Sequence, residues 1–286
     1  MSWGKRKKTG KHLGRGRLTA LYVVLVLGSV MMLLPFVWMV STSFKVENDI
    51  FSIPIKWLPQ KITFENYIKA LRVVPIAKNM LNTVIIAVPK ILGEVFVSAL
   101  VAFGFARFAF KGRNILFMIL LATMMLPYEV TMIPTFMIWS HLGLSDSYVP
   151  LVLPAFCGSA SFIFFMRMYF ETIPKDYEEA AWLDGAKNLK VFYMIFIPMA
   201  KPALVTISLW SFMGTWNDLL GQLIYIDSQH KYTVQLALAS FSSMTGETLW
   251  GPLMAASCMA LIPIIALLLY AQKYFMEGIK LGGIKG

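Results

Sequence analysis

Six long apolar runs with few or no charged residues constrain this chain more than any other feature of its sequence. The hydrocarbon layer of a bilayer is about 30 Å thick, which takes roughly 20 helical residues to cross. Backbone polar groups must be satisfied internally in lipid, so runs of this kind predict a helical bundle. The predicted spans are residues 18–44, 83–107, 115–139, 148–166, 197–218 and 251–272.

The composition agrees with an all-α polytopic membrane protein. Hydrophobic residues make up 58% of the chain and charged residues only 14%, whereas soluble domains carry about 25% charged residues. The two cysteines, Cys157 and Cys258, both lie in apolar runs. They therefore do not indicate a disulfide framework.

The charge distribution predicts the orientation. Six spans place both termini on one side, and residues 1–17 hold basic residues without an acid. The loop after the second span is similar, with Arg107, Lys111 and Arg113. Positive-inside bias therefore predicts cytoplasmic termini. The net charge of +11 is then a topology signal, and nucleic-acid binding is not predicted.

The division of the chain follows from these spans. Residues 1–17 form a basic amino terminus, residues 18–274 the six-span domain and residues 275–286 a cytoplasmic tail. The amino terminus is basic and then apolar, as in a signal peptide. Its apolar run is too long and no small-residue cleavage site follows, so we expect an uncleaved span.

The loop of residues 172–200, between the fourth and fifth spans, is polar and helix-prone. Pro174 suits the first turn of a helix, and Asp176 lies where a carboxylate favours the helix dipole. Gly185 is a natural helix end. A short cytoplasmic helix is therefore predicted here.

Helical spacing predicts one face of this helix. It is mostly small and would permit close approach of a partner; its members are Ile173, Tyr177, Ala180, Ala181 and Asp184. The alternative is a helix that rests on the membrane. Such helices are usually Lys-rich with bulky apolar anchors, so docking to a soluble partner is favoured.

Three short motifs in this loop carry a family resemblance. Glu179-Ala180-Ala181, then Asp184-Gly185-Ala186, then Ile197-Pro198 with Pro202 resemble the EAA loop of permease subunits of binding-protein-dependent ABC importers. The resemblance implies the type I importer permease fold, with a coupling helix that docks into a cleft of a cytoplasmic ATPase. It assigns the coupling role to Glu178, Glu179, Ala180, Ala181, Asp184, Gly185 and Ala186.

The resemblance also implies a location, the bacterial or archaeal inner membrane, and partners. The partners are a second permease subunit that the first helix of this chain wraps, two ATPase subunits and an extracytoplasmic solute-binding protein. The outer loop of residues 45–79 and the region 247–251 would meet the binding protein. The chain has no G-x-x-x-x-G-K-[ST] phosphate loop, so it is not expected to be an enzyme. ATP and Mg would be bound by the ATPase, and no cofactor by this chain.

Further segments resemble the carbohydrate-uptake branch of this family. They are residues 57–59, 63–67, 102–108, 216–218, 232–238 and 282–286. A sugar or oligosaccharide is the implied substrate. Glycerol phosphates and acidic oligosaccharides are the alternatives within the same branch.

Three ionisable groups fall inside predicted spans. Lys90 and Glu94 have the i, i+4 spacing of an ion pair, and the alternative is a proton or substrate relay. Glu129 lies between Pro127 and Pro134, where a loosened helix would line the passage. Its alternative is a hydrated position near the outer interface.

Trp216, Asn217 and Asp218 end the fifth span and combine an aromatic ring with an amide and a carboxylate, as sugar sites do. Interfacial tryptophan is also ordinary in membrane proteins. With Glu94 and Glu129, these three are the pathway candidates. His12, His141 and His230 lack metal-ligand spacing, so no metal site is predicted.

Two other classes compete with an ATP-driven permease. A proton-coupled secondary carrier would use the three intramembrane charges but leaves the 172–200 loop unexplained. A membrane enzyme has no nucleophile–base motif or metal set in its support.

Overall fold

The computed structural model describes residues 15–243 and 248–282, and all regular structure in these ranges is helical. The α-helices are, in chain order, α1 (Arg15–Ser43), α2 (Glu47–Ile50), α3 (Glu65–Val73), α4 (Ile76–Arg107), α5 (Arg113–Thr123), α6 (Tyr128–His141), α7 (Val149–Val152), α8 (Ala160–Glu171), α9 (Asp176–Leu183), α10 (Asn188–Val191), α11 (Ile197–Met199), α12 (Lys201–Trp216), α13 (Leu220–Tyr225), α14 (Val234–Ser243) and α15 (Trp250–Gly282). A 3-10 helix, Leu153–Cys157, continues α7, and a π-helix, Phe192–Phe196, joins α10 to α11.

Four stretches are long and apolar enough to cross a membrane as they stand. They are Gly16–Ser43, Ile76–Arg107, Val149–Glu171 and Trp250–Tyr274. Two bent pairs bring the number to as many as six: α5 with α6, at 92°, and Asn188–Met199 with α12, at 79°. By length and composition, these stretches coincide with the six predicted regions.

The third predicted span, residues 115–139, is not one continuous helix, so that detail of the prediction was wrong. The helix stops at Thr123 and resumes at Tyr128. Pro127 explains the break, because it lacks an N–H and disfavours helical geometry in the residue before it. Of these two prolines, Pro134 lies inside α6 whereas Pro127 is the residue before it, so the two do not share a helix face.

The centre of the bundle is α4 packed between α8 and α12. Its largest core cluster is aromatic, with the Phe103 and Phe196 ring centroids 4.8 Å apart. Ala99, Ala102 and Ala203 are buried in the same cluster. Small residues of this kind let neighbouring helices approach closely in a membrane.

The first helix has a different surface. Residues 16–37 of α1 are exposed, and only its carboxyl-terminal end, from Ser41 to Ser43, is buried. This end packs near α3 and α15, where the second core cluster contains Ala70, Trp216 and Ala255. Residues 45–79, expected as an outer loop, hold the two short helices α2 and α3 and the start of α4.

Gly93 lies at a close approach between α4 and the segment before α8. A Cβ atom at this position would lie 2.9 Å from the Phe156 ring. We expect Gly93→Ala to destabilise the chain relative to Gly104→Ala by about 1–3 kcal/mol, the usual cost of overpacking. The two glycines share a helix, but a Cβ at Gly104 meets no heavy atom within 4 Å. Thermal unfolding in detergent measures the difference, and equal melting temperatures would contradict it.

Candidate functional site

The 172–200 loop contains the predicted short helix as α9. Asp176, Glu178 and Glu179 occupy its first turn. Carboxylates are favoured there because the helix dipole is positive at that end. The helix follows directly on α8, at the end of the bundle where α4 finishes at Arg107.

A Schellman motif ends this helix. The Gly185 N–H donates to the Trp182 carbonyl at 3.0 Å, and the Ala186 N–H donates to the Ala181 carbonyl at 2.9 Å. Gly185 has φ +77°, which glycine adopts at low cost and other residues do not. No heavy atom lies within 4 Å of a Cβ built here. Backbone conformation, not space, therefore requires glycine at this position.

The structure divides the predicted docking face. Ile173 is buried, and Ala181 is half-buried against the aromatic core cluster. Tyr177, Ala180 and Asp184 are exposed. The side of α9 that packs inward therefore includes Glu178 and only part of the predicted face.

The outward side of α9 carries Glu179, Ala180 and Leu183. Leu183 is 90% exposed and its neighbour Trp182 is 43% exposed, so α9 exposes two large apolar side chains at its carboxyl end. Ala186, by contrast, is half-buried against the aromatic cluster. The exposed side thus combines the carboxylate of Glu179, the small side chain of Ala180 and the large apolar side chain of Leu183.

Glu178 points the other way. It is only 4% exposed, and its Oε1 lies 3.4 Å from the Arg107 Nη1 atom of α4. The family resemblance assigns Glu178 to the coupling residues, but its side chain lies inside the bundle. The sequence held no signal for this pair, because its members are 71 residues apart.

The Lys90–Glu94 ion pair does not form. Glu94 instead accepts a hydrogen bond of 2.5 Å from the Ser211 hydroxyl, which joins α4 to α12. Among the described residues, no carboxylate lies within 4.0 Å of the Lys90 ammonium. Both side chains are half-buried.

The remaining pathway candidates differ in their exposure to solvent. Glu129 is exposed in the first turn of α6. The Trp216 ring is 1% exposed in the second core cluster, so it offers no surface to a solute in this structure. Asn217 is exposed, and Asp218 accepts a hydrogen bond from the Gly221 N–H at 2.9 Å.

Sequence reasoning missed a polar clamp on the segment between α13 and α14. Asn79 and Asn82 of α4 donate to the Tyr232 carbonyl at 2.8 and 2.9 Å. The Thr83 hydroxyl accepts from the Val234 N–H at 2.9 Å. Asparagine and threonine near the start of an apolar helix were the available signal.

A second set of contacts holds the same segment from the α6–α7 loop. The Asp146 carboxylate pairs with Lys231 at 2.8 Å and accepts from the Ser228 N–H at 2.9 Å. Hydrogen bonds from Lys231 and then from Ser228 hold the pKa of the Asp146 carboxyl well below its usual range. Because a lowered pKa keeps the carboxylate ionised, these Asp146 contacts are intact at neutral pH and are lost only as pH falls through that lowered pKa.

No group of three or more His, Cys, Asp or Glu side chains in the described residues is arranged to hold a metal ion. Residues 1–14, 244–247 and 283–286 lie outside the described residues. They include His12 and parts of the predicted amino terminus, outer surface and tail.

Fold and site together define a helical, multi-pass membrane protein with a short helix, α9, that has one side packed on the bundle and the other exposed. A family model described as the inner membrane component of binding-protein-dependent transport systems matches residues 94–280. The chain belongs to this family and is a permease. A proton-coupled carrier is not favoured by this membership.

Individual relatives agree. The chain is 37% identical to a probable ABC transporter permease protein, YurM, of Bacillus subtilis, over 94% of this chain and 89% of the relative. It is 31% identical to the arabinooligosaccharides transport system permease protein AraQ of the same organism, over 93% and 95%. Among solved structures, it is similar to a bacterial ABC transporter involved in the import of the acidic polysaccharide alginate. That match has a TM-score of 0.79 and 26% identity, and covers 92% of this chain and 99% of that chain.

Proposed function

We propose that this chain imports a sugar or oligosaccharide as one of two permease subunits in a complex with two ATPase subunits and a solute-binding protein. The observation that carries the proposal is the exposed side of α9, which holds Glu179, Ala180 and Leu183 outside the bundle. Family membership and the arabinooligosaccharide relative support the transport role and the substrate class.

In this proposal α9 is the coupling helix, and the side of the membrane that carries it is cytoplasmic. Arg107, Lys111 and Arg113 at that end of the bundle support the orientation through positive-inside bias. Both termini are then cytoplasmic as well.

The roles of the α9 residues follow from their positions. Glu179 offers a negative charge to the ATPase cleft, Ala180 allows close approach, and Gly185 with Asp184 sets the turn into α10. Ala181 and Ala186 seat the helix on the aromatic core cluster. ATP and Mg are bound by the ATPase, and this chain contributes the lever on which nucleotide-driven closure acts. Alternating access of the two permeases then moves the solute.

An acidic oligosaccharide is the second candidate substrate. The similarity to the alginate importer, over nearly all of that chain, favours it. A neutral sugar and an acidic one are distinguished by the binding protein that the complex accepts.

The test is to co-express the chain with its candidate ATPase, second permease and binding protein, purify the complex in mild detergent and reconstitute it in liposomes. We expect a stoichiometric ATPase and solute uptake that requires ATP and loaded binding protein. Uptake by the chain alone, without ATP, would contradict the proposal. Parallel uptake of a neutral and a uronate oligosaccharide separates the two substrate candidates.

A further inference from the structure

One buried side chain, Arg107, connects four segments around the base of α9. It is the last residue of α4, and its Nη2 atom donates to the carbonyls of Phe170 and Ile173, at 2.7 and 2.5 Å. Those carbonyls belong to the end of α8 and the turn after it. Its Nη1 atom faces Glu178 of α9, and its guanidinium lies 4.7 Å from the Phe196 ring centroid.

The charges of Arg107 and Glu178 compensate each other inside the bundle. The Arg107 and Glu178 side chains are 3% and 5% exposed, and this is the most buried ion pair among the described residues. Arg107 Nε and Glu178 Oε2 are buried without a hydrogen-bond partner. Removing either partner would therefore leave an uncompensated charge in the bundle.

The contacts also require the shape of arginine. Carbonyls at the end of a helix carry partial negative charge and can accept from a side chain beside a backbone N–H, as the Phe170 carbonyl does from Arg107 and from the Ile173 N–H. A planar guanidinium can reach two of them and a carboxylate at once, whereas the ammonium of lysine is a compact point charge on a flexible stem.

We propose that Arg107 is a positioning residue that joins α9 to α4 and α8. A displacement of α9 is then transmitted directly to α4 at the centre of the bundle. This proposal rests on the proposed function of α9 as the coupling helix. It gives the two adjacent glutamates opposite tasks: Glu178 faces inward to Arg107, and Glu179 faces outward.

The first test compares Arg107→Lys and Glu178→Gln with wild type in the reconstituted full complex, measuring solute moved per ATP hydrolysed. We expect each variant to retain the ATPase subunits while the transport-to-hydrolysis ratio falls about five- to tenfold. Arg167→Lys is the matched control, because Arg167 pairs with Glu171 at 2.9 Å within α8 and lies 3.9 Å from the ring centroid of Phe117 on α5, so its contacts do not involve α9. Its ratio should equal that of wild type.

Two further arms keep the proposal testable if these variants assemble poorly. Arg107→Met combined with Glu178→Leu removes both buried charges and should restore assembly while leaving the ratio low. Spin labels at Tyr177 on α9 and Leu81 on α4, both exposed, report the link with the pair intact, after Cys157→Ser and Cys258→Ser. Their separation should stay constant between nucleotide-free and nucleotide-bound complexes.

The outcomes are separable. A wild-type ratio in Arg107→Lys, or in the double variant, overturns the positioning role, and so does a change of several ångströms between the labels between nucleotide states. If the unmodified complex shows no ATP-dependent uptake, the proposed function itself has failed, whatever the variants do.

Discussion

Replacing Gly185 with valine should reduce ATP-driven uptake by about tenfold or more while the chain still folds and inserts. Valine at φ +77° is strained by about 1–3 kcal/mol, and relief of that strain moves the chain out of the left-handed region. The Schellman hydrogen bonds of Gly185 and Ala186 would then be lost, and the exposed side of α9 would turn away from the ATPase. Uptake and ATP hydrolysis, measured in the same liposomes, report the effect.

The chain provides a close structural control for this substitution. Gly143 ends α6 with the same motif: it has φ +70°, its N–H donates to the Ser140 carbonyl at 2.9 Å, and the Leu144 N–H donates to the Trp139 carbonyl at 3.0 Å. A Cβ at Gly143 also meets no heavy atom within 4 Å. Gly143→Val therefore carries the same backbone cost away from α9. Equal losses of uptake in both variants would show that strain, and not the direction of α9, is responsible.

Leu183→Gln should weaken binding of the ATPase by about 1.5–3 kcal/mol, the transfer free energy of fully burying a leucine side chain. Leu183 contributes little to the permease itself because it is 90% exposed. Burial in a partner cleft is what would repay its exposure to water. Retention of the ATPase during purification, followed by titration of the ATPase onto the immobilised permease, measures the loss.

The control for this variant is Leu142→Gln at the end of α6, where leucine is 62% exposed. Glutamine is compatible with a helix end in both places, so the two variants differ mainly in location. ATPase retention should be unchanged in Leu142→Gln. Undiminished retention in Leu183→Gln would remove Leu183 from the docking surface.

Local chemistry explains what the sequence could predict. Apolar runs locate the membrane-crossing regions because hydrocarbon thickness fixes their length, and Gly185 ends α9 because cap geometry is local. Pro174, expected in the first turn of this helix, instead precedes Lys175, the residue at its N-cap. The break before Tyr128 was visible as Pro127, but two apolar runs joined by four residues have the same hydropathy as one span.

Contacts between distant segments explain what it could not. Arg107 and Glu178 are 71 residues apart, and Ser211 competes with Lys90 for Glu94 across 117 residues. Helical spacing predicts which side chains share a face, but the packing of neighbouring helices decides which face is buried. Ala181 and Trp216 turned inward for this reason, one on α9 and one at the end of α12.

The polar clamp on the segment between α13 and α14 has a consequence for exchange of parts between relatives. The conformation of that segment is set by side chains that lie about 150 residues earlier in the chain, on α4. A chimaera that receives residues 226–234 alone would inherit the peptide without the donors and acceptor that shape it. An exchange between relatives should therefore transfer this segment together with Asn79, Asn82 and Thr83, although these residues lie in a different part of the linear sequence.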